Sequence, residues 1–289
     1  MKVKIFTDVT TFIPDELADK YDIGFVEFSL LIDGKSYKEK SEIDREEFIN
    51  TMVEMDPYPT SSMPNPQDFL EAFQEASEEG YDEILYIGIT NNLSQAQNSA
   101  KLAGKKMKKA KVTVYDSEIM GACQGIMVLS AAHLFQKGKS MKEVIEYLDS
   151  IKEKIYGAGI SSSFDILFKT GRVKKGVAIS TISTIMRLKP MFELNYEKGL
   201  TSLGGGRGFK GAIKILIDNF LEKTNENLEY ILIMSDAIGP DLMEKVETEV
   251  KKIRKIKETF YWPITPMAAH TLGKGCVIAV IGPSWEVKL

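Results

Sequence analysis

The run at residues 83–89, EILYIGI, constrains the fold most, because it is apolar almost without interruption. A strand covered on one face alternates apolar and polar residues, whereas an unbroken apolar run suits a strand covered on both faces. The residues after it fit that setting. Thr90-Asn91-Asn92-Leu93-Ser94 is a polar loop, and Ser94 with Gln97 three positions on reads as a capping box, predicting a helix to about residue 107. KVTVY at 111–115 predicts another strand, ending at Asp116-Ser117, and a helix follows at about 118–137. Strands alternating with helices, with polar loops after the strand C-termini, make a parallel α/β domain whose site lies at the carboxyl edge.

The flanking chain extends this pattern. VKIFT at 3–7 predicts a first strand ending at Asp8, followed by Thr10, Thr11, Pro14 and a short helix at about 14–21. Asp8 is placed either as a ligand residue or simply as a strand end. GFVEFSLLI at 24–32 predicts a strand, Asp33-Gly34 a hairpin turn, and Asp44 a cap on a helix at about 45–55. A helix at about 66–79 ends at Gly80, and Ser140 caps another at about 141–154. Beyond residue 155 the order is less regular. Helices are expected at about 163–169, 177–187, 209–223 and 240–254, with the turn Gly171-Arg172 between the first two. Strands are expected at about 155–160, 189–195, 199–203, 229–234, 258–264 and 276–281. Short loops between adjacent strands imply a mixed sheet. The expected architecture is two α/β domains, residues 1–155 around a parallel sheet and 156–289 around a mixed one.

Composition excludes several classes. A chain of 289 residues, 44% of them hydrophobic, can bury an ample core. Its net charge of −4 is unlike a nucleic-acid footprint. The two cysteines, Cys123 and Cys276, are far apart, without the spacing of a metal site or disulfide scaffold, which suits a reducing compartment. No apolar run is long enough to predict a membrane span, and the N-terminus reads as a strand rather than a signal peptide. A cytoplasmic location is expected.

The candidate chemistry centres on Tyr58-Pro59-Thr60-Ser61-Ser62-Met63-Pro64-Asn65-Pro66-Gln67-Asp68. Hydroxyls stand in a proline-bounded loop that enters a helix, with Asn65 as N-cap, Pro66 at the first position and Asp68 in the first turn. Such a loop can hold a carboxylate or phosphate oxygen, or it can merely punctuate a helix start. Gly206-Arg207-Gly208-Phe209-Lys210-Gly211 matches the dinucleotide-binding spacing, but a short half-polar strand precedes it rather than a buried apolar one. Arg207 can reach an anion bidentately or be a surface arginine. His133 lies within an apolar helix and reads as structural, while His270 is expected in a Gly-flanked loop as an anion partner or an acid/base. A Ser94, His270 and Asp8 set can be assembled on paper, without a nucleophile-elbow motif to support it.

These segments together resemble one family, the DegV family of bacterial fatty-acid-binding proteins, over essentially the whole chain. KIFTDVTTFIP resembles a strand followed by D-S-T-x-D-L-P, with Asp8 and Thr10 matching and Val9 in place of the serine. Ser61-Ser62-Met63-Pro64-Asn65-Pro66 resembles T-S-Q-P-S-P, with Ser61, Met63 and Asn65 as departures. Ile89 to Ala100 resembles I-S-S-x-L-S-G-T-Y-x-S-A: Leu93, Ser94, Ser99 and Ala100 match, whereas Gln95, Ala96 and Gln97 do not. Val114-Tyr115-Asp116-Ser117 resembles V-x-D-S, Phe164 to Val173 resembles L-x-x-L-x-x-G-G-R-I, and Leu188-Lys189-Pro190 resembles L-K-P. Arg207 falls at a family arginine, and His270 resembles the histidine of H-x-G-P-G.

The resemblance implies a protein that encloses one long-chain fatty acid in a tunnel between two domains. Its carboxylate is expected on hydroxyls of the two loops, here Ser61, Ser62 and Ser94, with His270 and Arg207 nearby. The bound acid is presented to a separate fatty acid kinase, so the chain itself is expected to be a non-catalytic carrier with no cofactor and no metal. Peripheral contact with a membrane during ligand exchange is a further expectation. Each buried CH₂ of an acyl chain contributes ~0.8 kcal/mol, so a long chain would bind tightly even with an imperfect head-group site. The rival readings are a serine-dependent acyl hydrolase or transferase using Ser61 or Ser94, and a nucleotide-binding protein using residues 206–211.

Overall fold

The computed structural model describes residues 2–161, 166, 188–196 and 199–286. The expected helices at 163–169 and 177–187, the turn Gly171-Arg172 and most of the motif from Phe164 to Val173 lie outside the described residues. Strand β1 (Val3–Asp8) is central in a four-stranded parallel sheet. Its neighbours are β2 (Ile23–Val26) and β6 (Glu83–Gly88), and β7 (Lys111–Asp116) lies beyond β6. All six residues of β6 are buried, as its unbroken apolar run requires.

The stretch expected as one strand at 24–32 is instead divided between two sheets. Its first half is β2; its second half, β3 (Ser29–Ile32), belongs to a small antiparallel sheet with β4 (Lys35–Lys38) and β5 (Thr60–Ser62). Asp33 and Gly34 turn the β3–β4 hairpin, both with positive φ, at 49° and 77°. That is the backbone sense matching the right-handed twist of paired strands. β5 pairs with the other edge of β3, setting Ser61 opposite Leu30. The hydroxyl stretch is therefore partly a strand rather than a free loop.

Helices α1 (Asp15–Tyr21), α2 (Arg45–Thr51), α3 (Pro66–Glu78) and α4 (Ala96–Lys106) connect these strands. Asn65 caps α3 with Pro66 at its first position, as the sequence predicts, and Asp68 returns a bond to the Asn65 N–H, completing a reciprocal capping box. Helix α5 (Gly121–Gln136) is buried nearly all round, and α6 (Met141–Ile151) follows, capped by Ser140 and Glu143. A helix apolar on every side needs cover on every side. α5 has it, since it packs on β1 and β6 and also on β13 (Val277–Gly282) of the second sheet. Close approach is possible because Gly125 lacks a side chain: a Cβ there would stand 2.6 Å from the Trp262 ring and 2.9 Å from the Thr11 carbonyl oxygen.

The second sheet has six strands in the order β10-β9-β8-β13-β11-β12. Its members are β8 (Tyr156–Ile160), β9 (Leu188–Asn195), β10 (Gly199–Arg207), β11 (Glu229–Asp236), β12 (Lys255–Tyr261) and β13. Only β11 and β12 pair in parallel, so the sheet is mixed, as expected. One face, carrying Ile231, Ile233, Ile278 and Val280, joins the core that contains α5. The other face packs on α7 (Gly208–Lys223) and α8 (Pro240–Ile253) through Leu232, Leu216 and Val246. The larger core thus crosses from the parallel sheet to the mixed one. Among the described residues no helix is long and apolar enough to cross a membrane.

Candidate ligand site

The carboxyl edge of the parallel sheet carries the site. Thr10 follows β1, Ile89, Leu93, Ser94 and Gln95 follow β6, and Met120 follows β7; all six line one cavity of about 260 Å³. Ser61 and Met63 enter from β5, with Phe28 beside them. The remaining wall comes from the second sheet's side. It consists of Leu200 at the start of β10, with Met267, Ala268, Thr271 and Leu272 of helix α9 (Pro266–Leu272). The cavity therefore lies between the two sheets, with hydroxyls set into a lining rich in methionine and leucine.

Ser61 and Ser94 come together here although 33 positions separate them in sequence. Ser94 is not the cap that its spacing predicts. Helix α4 begins at Ala96, and the Ser94 Oγ accepts from the Ala96 N–H at 3.2 Å. The Gln97 side chain turns inward instead, donating to the Ile89 carbonyl at 2.7 Å. The Ser94 hydroxyl also lies 3.9 Å from the Met63 sulfur, so the residue in place of an amide packs directly against the second hydroxyl.

Ser62 does not join this lining. All three residues of β5 are exposed, but side chains alternate along a strand, and with Ser61 at the cavity Ser62 falls on the opposite face. Arg207 is also elsewhere. It is the exposed last residue of β10, and Leu200, the cavity residue of that strand, is seven positions and roughly 20 Å away at ordinary strand rise. The glycines before Arg207 are part of β10 rather than a loop. β10 is the edge strand of its sheet, and β11, which follows α7, runs parallel to it but with three strands between them, so the dinucleotide-type spacing at 206–211 does not sit between adjacent parallel strands.

His270 departs furthest from expectation. It is buried within α9, not in a loop, and its Nε2 lies 2.7 Å from the Pro59 carbonyl oxygen. A carbonyl only accepts, so Nε2 carries the proton and donates. Tyr58 returns the contact: its hydroxyl donates to the His270 carbonyl at 2.7 Å, and its ring stacks on the imidazole with centroids 5.1 Å apart. His270 thus fixes the residues that lead into Ser61 rather than lining the cavity. The set of Ser94, His270 and Asp8 is not assembled, since the imidazole is engaged with Pro59.

Asp8 is the other organising residue. It is fully buried and accepts from the Thr10 N–H and hydroxyl, the Ile89 N–H at 2.8 Å, Gln124 Nε2 at 3.0 Å and the Tyr86 hydroxyl at 3.3 Å. Burial pushes its carboxyl above the ordinary value, against the pull of these donors. The network ties the loop after β1 to the loop after β6 and holds Thr10 at the cavity. Thr10 and Thr271 join the lining beyond the residues the sequence predicts for it. Thr10 follows the C-terminus of an apolar strand, which is the signal that could have found it. Among the described residues no group of His, Cys, Asp or Glu side chains is arranged to hold a metal ion.

Comparisons with known proteins identify the fold and the family. A family model described as an uncharacterised protein of the DegV family matches residues 2–282. A DegV domain-containing protein of Listeria monocytogenes is 27% identical over 292 residues, with 99% of each chain covered. One from Staphylococcus aureus is 26% identical over 288 residues, with 98% of each covered. Among solved structures, a DegV lipid binding protein of Thermotoga maritima is 25% identical with a TM-score of 0.88, covering 98% of both chains. A fatty-acid-binding DegV family protein of Thermus thermophilus is 25% identical with a TM-score of 0.87, covering 98% of this chain and 100% of the other. By the match along its whole length and the fold it shares, the chain belongs to the DegV family.

Proposed function

We propose that this protein is a carrier that binds a long-chain fatty acid between its two α/β halves, residues 1–155 and 156–289. The acid's carboxylate is held by the hydroxyls of Ser61 and Ser94, and the acid is presented to a separate fatty acid kinase. The observation that carries the reading is the convergence of those two hydroxyls on one methionine- and leucine-lined cavity at the seam of the sheets. A carboxylate gains from several hydrogen-bond donors, and an acyl chain gains from every CH₂ it buries. The relatives with solved structures from Thermotoga maritima and Thermus thermophilus, described as lipid binding and fatty acid binding, support the same ligand class.

At about 260 Å³ the cavity lies just under the usual ~300 Å³ floor of ligand pockets. Met63, Met120 and Met267 line it, and methionine is the side chain that re-packs most readily, so a long acyl chain is accommodated by moving them. His270 acts in this account as a positioning residue, through Pro59. Uptake of a long-chain acid, measured by calorimetry on delipidated protein, tests the reading. Saturable binding weakened by Ser61→Ala and by Ser94→Ala supports it; no uptake by the unmodified protein contradicts it.

A further inference from the structure

We propose that Gln97 is a positioning residue for ligand binding, one that holds Ser94 at the cavity by closing the turn that carries it. The inference rests on the carrier reading, which sets an acid's carboxylate against the Ser94 hydroxyl. Gln97 does not line the cavity; Ile89, Leu93, Ser94 and Gln95 of the same stretch do. It stands at one of the positions where the chain departs from the motif it resembles.

The turn follows β6 and ends where α4 begins, at Ala96. At its start, Ile89 is gripped on both sides of its backbone. Its N–H donates to Asp8 at 2.8 Å, and its carbonyl accepts from Gln97 Nε2 at 2.7 Å. The second bond spans eight positions and joins the strand side of the turn to the first turn of α4, with Ser94 between them. Gln97 Oε1 accepts from Asn91 Nδ2 at 3.3 Å, and that same amide donates at 2.7 Å to Asp116 at the end of β7. Within the turn, the N–H groups of Leu93 and Ser94 donate to the Thr90 carbonyl at 3.0 and 3.2 Å. These backbone bonds shape the turn, and Gln97 closes it onto the helix.

The fold makes room for this side chain. Gln97 is fully buried, and a Cβ on Gly88 would stand 2.9 Å from its Cγ, so its stem lies over a position without a side chain. A buried amide is costly unless it is paired. Here each end is paired to a member of the turn that carries Ser94. Removing the amide takes a donor from the Ile89 carbonyl and loosens the turn, while the Ser94 hydroxyl itself stays intact.

Calorimetric titration of the delipidated protein with palmitate tests the proposal. Gln97→Met keeps the length of the side chain and loses both hydrogen bonds. It is expected to weaken palmitate binding about three- to tenfold, the scale of one hydrogen bond. The loss is expected to shrink below about twofold when Ser94 is already alanine, since residues that act together are not additive. With Ser61 as alanine instead, the loss is expected to persist in full. A merely structural residue would weaken binding equally in every background. Asn91→Ala, at a half-buried position, is expected to show the same dependence on Ser94, and it decides the matter where Gln97→Met does not fold. Unchanged affinity in folded Gln97→Met protein, or an equal loss with and without Ser94, overturns the proposal and leaves the carrier reading standing. Wild-type protein that takes up no palmitate contradicts the carrier reading itself, and the role of Gln97 falls with it.

Discussion

His270 donates from Nε2 to the Pro59 carbonyl across 2.7 Å, joining helix α9 of the second half to the strand that carries Ser61. The contact makes the geometry of the hydroxyl site depend on a buried side chain that does not itself line the cavity. His270→Ala removes the donor and leaves a carbonyl and a void behind. A stability loss of about 1–3 kcal/mol is expected in denaturant titration. Fatty-acid binding is expected to weaken as well. Tyr58→Phe, which deletes only the returning hydroxyl, is expected to lose about 0.5–1.5 kcal/mol. Unchanged acid affinity in a folded His270→Ala variant would separate the histidine from the site.

Ser61→Ala and Ser94→Ala are each expected to weaken acid binding by about 1–3 kcal/mol, the scale of a hydrogen bond to a charged group. Ser62→Ala faces away from the cavity and is expected to change nothing. Titration of the three variants with one fatty acid decides between a two-hydroxyl clamp and a diffuse polar loop. An equal effect at Ser62 would contradict the assignment by strand alternation.

Glu39 gives the protein a pH dependence of definite sign. Its carboxyl is raised from 4.5 to about 8 by burial, so the folded chain holds a proton that the unfolded chain releases. Stability is therefore fully present below about 4.5, falls as pH rises from there to 8, and levels off above. The limiting slope is about 1.4 kcal/mol per pH unit. Glu39→Gln removes the titration. The stability difference between variant and wild type is expected to move in the variant's favour across that window in urea melts at several pH values. A difference independent of pH would show that Glu39 stays ionised.

Gly125→Ala places a methyl group against the Trp262 ring and the Thr11 carbonyl oxygen, the second being backbone that cannot step aside. Overpacking of this kind costs typically ~1–3 kcal/mol. Because α5 is shared by both sheets, a single cooperative thermal transition at lower temperature is expected, rather than loss of one half alone.

What the sequence made legible followed from pattern length. The parallel sheet was readable from the long apolar run of β6 and from strand–helix alternation, which local composition specifies. The N-cap at Asn65, with Pro66 and Asp68 after it, was readable because its geometry spans only four residues. The division of residues 24–32 was not, since Phe25, Val26, Phe28 and Leu30 to Ile32 remain apolar while the chain passes from one sheet to another. β5 consists of Thr60, Ser61 and Ser62, with no strand-like alternation, and only its pairing with β3 makes it a strand. The seven residues of α9 are too few to show helical periodicity, although Thr265 before it, Pro266 at its first position and Gly273 after it are start and stop signals. The meeting of Ser61 with Ser94 is tertiary and reached the sequence reading only through family resemblance. The joining of His270 to Pro59 is tertiary too, and nothing in the sequence marked it.

The most direct test of the central claim is mass spectrometry of organic extracts from the purified protein, before and after exposure to a mixture of long-chain acids. The account predicts that a long-chain fatty acid co-extracts with wild-type protein and is strongly depleted from a Ser61→Ala, Ser94→Ala double variant. Protein that is consistently lipid-free, and that takes up no acid from the mixture, would contradict it.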